Sequence, residues 1–133
     1  MRILLVEDEL AVREVAEAAL TGLGYRVFTA PSGRAALQVW AKHEHEVQLL
    51  LTDLVMPEGI SGRELAVRLK TMHPGLAVVY MSGYSHEVAG EDFSLQVGVN
   101  YLPKPFDLAS LAKVVRGSLD RGATLAPFAR LSK

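Results

Sequence analysis

Three carboxylates, a hydroxyl and an amine stand at the ends of apolar runs in this chain. Glu7 and Asp8 follow "RILLV" (2–6), Asp53 follows "VQLLLT" (47–52), Ser82 follows "LAVVYM" (76–81), and Lys104 follows "VNYLP" (99–103). A carboxylate closing a strand that is apolar on both faces is costly unless a cation or a reaction holds it there. In an open parallel α/β sheet, ligands bind outside the carboxyl ends of the strands. These groups would then converge on one rim. Glu7, Asp8 and Asp53 offer only hard oxygen ligands, with no His or Cys beside them, which favours Mg²⁺ or Mn²⁺ over zinc or copper. A phosphate oxygen commonly completes Mg²⁺, and a serine and a lysine suit the remaining phosphoryl oxygens. Phosphoryl transfer needs charge neutralisation and positioning above all. Asp53, framed by the tight "VMPEG" turn, is the candidate nucleophile, since carboxylates form aspartyl-phosphates.

Taken singly, each residue has a plainer explanation. Asp8 or Glu9 would cap the next helix, Lys104 would be a surface lysine, Ser82 a turn residue, and Pro105 a loop marker. One polar group per strand end, in chain order, is what favours a site.

The elements that must position these groups alternate along the chain. The runs at 2–6, 25–29, 47–52, 76–81 and 99–103 are the expected strands. Val12, Val15, Ala16, Ala19, Leu20 and Leu23 follow helical spacing after the first, closed by Gly22 and Gly24. Ser32 caps a second helix carrying Ala36, Val39 and Trp40 toward the core, where Trp40 serves packing. Ser61 and Glu64 form a capping box ahead of Leu65, Val67 and Leu69, and His73-Pro74-Gly75 stops that helix. Asp107 caps a last helix bearing Leu108, Leu111, Val115 and Leu119. The segment "GYSHEVAGEDFSLQVG" has weak helical periodicity, suited to a short helix with two accessible packings. Five βα units with near-continuous apolar strands imply an α/β fold with a parallel sheet covered on both faces.

Composition narrows the function classes. The 133 residues suit one domain, and fourteen basic against fifteen acidic side chains give no global pull toward nucleic acid or an anionic membrane. Cysteine is absent, which excludes disulfides, thiolate metal sites and Cys nucleophiles. No apolar run approaches the ~18 residues of a membrane span, and "MRILLVEDE" turns acidic too early for a secretory signal. A cytoplasmic domain with no membrane segment is expected. His43 and His45 in "KHEHE" lack further ligands and suit a solvated loop better than a metal pair. No Gly-rich phosphate loop follows any strand.

At "LLVEDE", "TDLVMP", "MSGY" and "YLPKPF", in that order, the sequence resembles the receiver domain of two-component response regulators. The likeness runs from Arg2 to about Leu119, and "MPEGISGREL…PGLAVVYMSGYS" looks most like receivers of hybrid sensor histidine kinases. The resemblance implies a flavodoxin-like (βα)5 three-layer sandwich with parallel sheet order 2-1-3-4-5. It makes residues 1–121 the receiver and 122–133 a C-terminal tail or linker remnant. Asp53 would be the phosphoacceptor. Asp8 and Asp53 would bind Mg²⁺ (Mn²⁺ as an alternative), with the Val55 backbone carbonyl, and Glu7 would act through metal-bound water. Ser82 and Lys104 would hold phosphoryl oxygens. Tyr101 would turn inward as Ser82 moves, and the Lys104–Pro105 bond would match one that is often cis in the family. The donor would be a histidine kinase or a histidine phosphotransfer protein. A homodimer would use the face of the fourth helix, fifth strand and fifth helix.

Departures from the common pattern are local. Glu7 stands for the more usual aspartate, Ser82 for the frequent threonine, and "MPEGISG" is one residue longer than "MPxMxG". The bulk of Val55 and Tyr84 beside the path of attacking water suggests slow hydrolysis. The family reading makes the chain a signalling acceptor and not a turnover enzyme. A Mg²⁺-dependent phosphohydrolase would often need a second acid two residues beyond the nucleophile, where Val55 stands. An unphosphorylated interaction module would usually lack an acid or the lysine. Direct binding of nucleic acid would need a further domain and is not expected of this chain.

Overall fold

The computed structural model describes residues 1–56, 59–82 and 97–131, and of residues 122–131 the backbone only. Five strands run β1 (Arg2–Val6), β2 (Arg26–Ala30), β3 (Val47–Asp53), β4 (Ala77–Ser82) and β5 (Tyr101–Pro103). The helices are α1 (Leu10–Gly22), α2 (Gly33–His43), α3 (Gly62–Met72) and α4 (Leu108–Leu131). The strands form one parallel sheet of order β2-β1-β3-β4-β5, a flavodoxin-like α/β arrangement. Expected and observed strands coincide at β1 and differ elsewhere by one or two residues at one or both ends.

Strand periodicity explains why both faces of the sheet are apolar. Ile3, Leu5, Leu49 and Leu51 point to one side, where they pack with Ala16 and Leu20 of α1 and with Leu111, Val115 and Leu119 of α4. Leu4, Val6 and Leu50 point to the other, against Ala36 and Trp40 of α2 and Leu65 and Leu69 of α3. Each fully buried aliphatic side chain contributes roughly 1.5–3 kcal/mol. The sheet is thus the middle layer of three.

Some helical expectations need correction. Val15, Leu23 and Val67 are half exposed or more. Val67 lies two residues from both Leu65 and Leu69, and two residues turn a helix through about 200°, away from the core stripe. Val15 is one position off the Ala16–Leu20 stripe, and Leu23 is the C-cap residue beyond α1. Ser61 accepts a bond from the Glu64 N–H at 3.1 Å. The Glu64 carboxylate bonds Arg68 at 2.9 Å, so only the serine half of the expected box is seen. The backbone of the last helix runs on to Leu131. The segment between β4 and β5 falls outside the described residues over 83–96, and so do Pro57 and Glu58 of the loop after Asp53.

Candidate functional site

Strand register brings the polar groups together. Val6 pairs with Thr52, so Glu7 and Asp53 follow side by side on adjacent strands. Asp53 pairs with Met81, and Ser82 pairs with Pro103, leaving Lys104 as the next residue. The sheet order reverses between β1 and β3, which is where an open α/β sheet forms its crevice. A pocket of about 880 Å³ opens there, lined on its polar side by Glu7, Asp8, Asp53, Ser82 and Lys104. Val55 lines it too, with a half-exposed side chain. All the described residues expected at the rim therefore meet; Tyr84 lies outside them.

The interior of this cluster is tight. Glu7 is fully buried and Asp53 is 6% exposed. The Lys104 ammonium reaches Glu7 Oε1 at 2.6 Å and Asp53 Oδ2 at 3.3 Å. Glu7 Oε2 accepts the Glu9 N–H at 3.0 Å. Glu9 is the N-cap residue of α1 but makes no side-chain cap, so helix capping does not explain this acidic run. Burial pushes the Asp53 carboxyl up to about 7, against the pull of Lys104 and with help from the Glu7 and Asp8 charges. Burial also raises Glu7, opposed by its hydrogen bond from Lys104. For Lys104 burial acts downward, but the bond to Glu7 and the charge of Asp53 outweigh it and hold the ammonium up.

Three acids against one lysine leave an excess of negative charge that a dication would complement. One oxygen from each of Glu7, Asp8 and Asp53 lies within 4.8 Å of the others. An all-oxygen set of this size fits Mg²⁺, and Mn²⁺ as a close substitute. Among the described residues this is the only such grouping of three potential ligands. His43 is elsewhere, stacked on Phe28 with ring centroids 4.1 Å apart and bonded to Glu46.

The backbone carbonyl of Ser82 links the remaining parts. It accepts the Tyr101 hydroxyl at 3.2 Å and the Lys104 N–H at 2.9 Å. Tyr101 is buried, with its ring turned inward. The Lys104–Pro105 peptide bond is cis. Two contributors were not singled out in the sequence. Arg13 of α1 donates to the Glu7 carbonyl at 2.7 Å, bracing the acidic loop. Gly62 opens α3 so close to Asp53 that a Cβ there would lie 1.9 Å from the Asp53 carbonyl oxygen. In the sequence Gly62 shows as the closing glycine of "MPEGISG", immediately after the Ser61 cap.

The fold and this rim define a doubly wound α/β domain with an acidic cluster and a lysine at its switch point. The model of the response regulator receiver domain matches residues 3–116. The chain belongs to the response regulator receiver domain family, and membership implies phosphoacceptor signalling. The sensor kinase CckA of Brucella abortus (strain 2308) is 37% identical over 119 residues, covering 90% of this chain and 12% of that protein. The DNA-binding transcriptional regulator NtrC of Azospirillum brasilense is 35% identical, covering 89% of this chain and 24% of that one. The chain thus spans a quarter or less of these two curated relatives. Among solved structures, the receiver domain of the hybrid histidine kinase CckA matches with a TM-score of 0.74 and 37% identity, over 90% of this chain and 99% of that one. A response regulator receiver protein from Sinorhizobium medicae WSM419 matches with a TM-score of 0.80 and 26% identity, over 92% and 96%.

Proposed function

We propose that Asp53 accepts a phosphoryl group from a phosphohistidine on a histidine kinase or a histidine phosphotransfer protein. The observation that carries this reading is the buried excess of acid around a single lysine, with Asp53 at its centre. Asp8, Asp53 and the Val55 carbonyl would hold Mg²⁺, with Glu7 acting through metal-bound water. When bound, Mg²⁺ supplies electrostatic stabilisation of phosphoryl oxygens. An Asp53 carboxylate oxygen forms the bond to phosphorus as the P–N bond breaks, and the protonated phosphohistidine ring leaves as neutral imidazole. Lys104 already carries its charge to the place where anionic oxygens gather, and Ser82 offers a hydroxyl to one of them.

The acyl phosphate adds charge and acceptors at the rim. Ser82 turns toward it, and Tyr101 holds the inward position, which ligands of the active state populate rather than create. The surface around β5 and α4 then presents the state to a partner or a second copy of the chain. We read the domain as a cytoplasmic signalling acceptor, not a turnover enzyme, because Val55 stands where a phosphohydrolase would place its general acid.

Intact-mass measurement after incubation with acetyl phosphate and Mg²⁺ tests the assignment. The protein gains one phosphoryl adduct, Asp53→Asn gains none, and chelating Mg²⁺ beforehand removes it. An adduct of equal yield on Asp53→Asn would refute the acceptor. If acetyl phosphate gives no adduct, a beryllofluoride and Mg²⁺ titration decides, and silence there too points to an unphosphorylated binding module.

A further inference from the structure

Away from the acidic rim, a second set of polar groups meets where the last helix crosses the lead-in to β5. Ser118 of α4 is 5% exposed, and its hydroxyl donates to the Val99 carbonyl at 3.0 Å. Arg121, about one turn on, donates through Nη2 to the same carbonyl at 2.7 Å and to Ser118 Oγ at 3.0 Å. One backbone oxygen therefore takes two side-chain donors, one of them charged, and charge-assisted bonds are the stronger kind. Gly117 has no side chain to crowd this arrangement; an added Cβ would touch Arg121 Nη1 at 3.5 Å.

Val99 stands two residues before Tyr101. The Asn100 carbonyl between them accepts the Tyr80 N–H at 2.8 Å, which starts the β4–β5 ladder. The Tyr101 carbonyl accepts the Gly98 N–H at 3.1 Å, closing a turn in which Gly98 has φ +82. Three successive carbonyls are thus tied to α4, to β4 and to the turn itself. With its backbone fixed on both sides, Tyr101 is aimed at the Ser82 carbonyl. The clamp residues lie just past position 116, where the match to the family model ends.

We propose that Ser118 and Arg121 are positioning residues for Tyr101, making the last helix, through the Val99 carbonyl, a control on how often that ring turns inward. This rests on the reading of Tyr101 as the switch. Whatever moves α4 by loosening or tightening the clamp then biases the phosphoryl site, and occupancy of that site biases α4 in return, because coupling between sites is reciprocal.

The full chain labelled with 3-fluorotyrosine provides the test, with the Tyr101 fluorine signal identified by its absence from Tyr101→Phe. Ser118→Ala and Arg121→Ala each shift that signal toward the solvent-exposed position and weaken beryllofluoride binding in Mg²⁺ by about three- to tenfold. Mg²⁺ affinity without beryllofluoride stays as in the parent chain, and Arg121→Lys recovers most of the inward signal. Arg121 is exposed, so its variants keep the fold if burial of Ser118 makes Ser118→Ala unstable. A lowered melting temperature with the Tyr101 signal and beryllofluoride affinity unchanged would overturn the clamp, leaving Arg121 a purely structural contact. Failure of the parent chain to bind beryllofluoride would count against the receiver reading instead; the Tyr101 signal alone then decides whether the clamp holds.

Discussion

The two ends of the sheet use the same residue types to opposite effect. At the N-terminal ends of the strands, Glu46 pairs with Arg2 at 3.2 Å and with His43 at 3.0 Å, with all three side chains a third to two-fifths exposed. At the C-terminal ends, Glu7 and Asp53 are buried with Lys104 as their close cation. The electrostatic consequences run in opposite directions. The hydrogen bond with His43 holds the Glu46 carboxyl below its ordinary value, whereas burial raises Glu7 and Asp53. A structural ion pair balances its charges in water; the rim keeps an imbalance on two carboxylates that are largely withdrawn from it. That imbalance is what a dication and a phosphoryl group can use.

The contrast is broken most severely by filling the space that lets α3 start against Asp53. Gly62→Ala would drive a methyl group into the Asp53 carbonyl, and backbone atoms cannot yield as a flexible side chain does. The expected loss is about 3 kcal/mol, read by urea denaturation, with phosphorylation impaired in the fraction that remains folded. The other end has a milder counterpart in Gln48, whose Oε1 accepts the Arg2 N–H at 2.6 Å. Gln48→Ala should cost about 1 kcal/mol. Equal losses would mean that the rim is no more tightly built than the opposite end.

Removing a charge should have opposite signs at the two ends. Asp53→Asn relieves a desolvated carboxyl beside Glu7 and Asp8, so the metal-free domain gains on the order of 1–2 kcal/mol at pH 8. The pH dependence follows from the shift itself. Below the unfolded value near 3.8, Asp53 is protonated in both states and carries no penalty. As pH rises from about 4 to 7, the unfolded chain ionises while the native carboxyl keeps its proton, so native stability falls. Above about 7 the loss is complete. Melting of the parent chain and Asp53→Asn without Mg²⁺ should therefore diverge between pH 4 and 7 and run parallel above. Parallel curves throughout would show that Asp53 titrates as an ordinary carboxylate. Mg²⁺ should raise the melting point of the parent chain and leave that of Asp53→Asn almost unmoved.

What could be read from the sequence was whatever repeats or punctuates. The strands are uninterrupted aliphatic runs that stop at a polar residue, so both their number and the rim were legible from Glu7, Asp53, Ser82 and Lys104. Burial on helices was less legible, because Val15 and Val67 are apolar yet fall off the core stripe by a fraction of a turn. Arg13 and the pair on Val99 were invisible for a different reason, and of Gly62 the sequence showed only the closing glycine of "MPEGISG", not its contact with Asp53. Each acts through a backbone oxygen brought near only by the fold, and no spacing rule along the chain encodes such an approach.

The smallest effect belongs to Glu46, and it sharpens the comparison because it should be so small. Its carboxyl is lowered by the His43 bond first; desolvation opposes this, and the charges of His43, Arg2 and Arg26 add smaller pulls downward. A depressed carboxyl contributes stability above its unfolded pKa and loses it as pH falls through the native value, the reverse of Asp53. Glu46→Gln should therefore lower the melting point only slightly at pH 8, where the contribution is fully present, and the difference should close as pH falls through the acid range. Added salt should erase most of the difference, as it does for exposed pairs. The acid-side change should also be absent from a chain already carrying His43→Ala, because that pair supplies the largest part of the shift. A loss at Glu46 as large as that at Gly62, insensitive to salt, would show that this end too holds a desolvated charge and is a second site rather than a fastening.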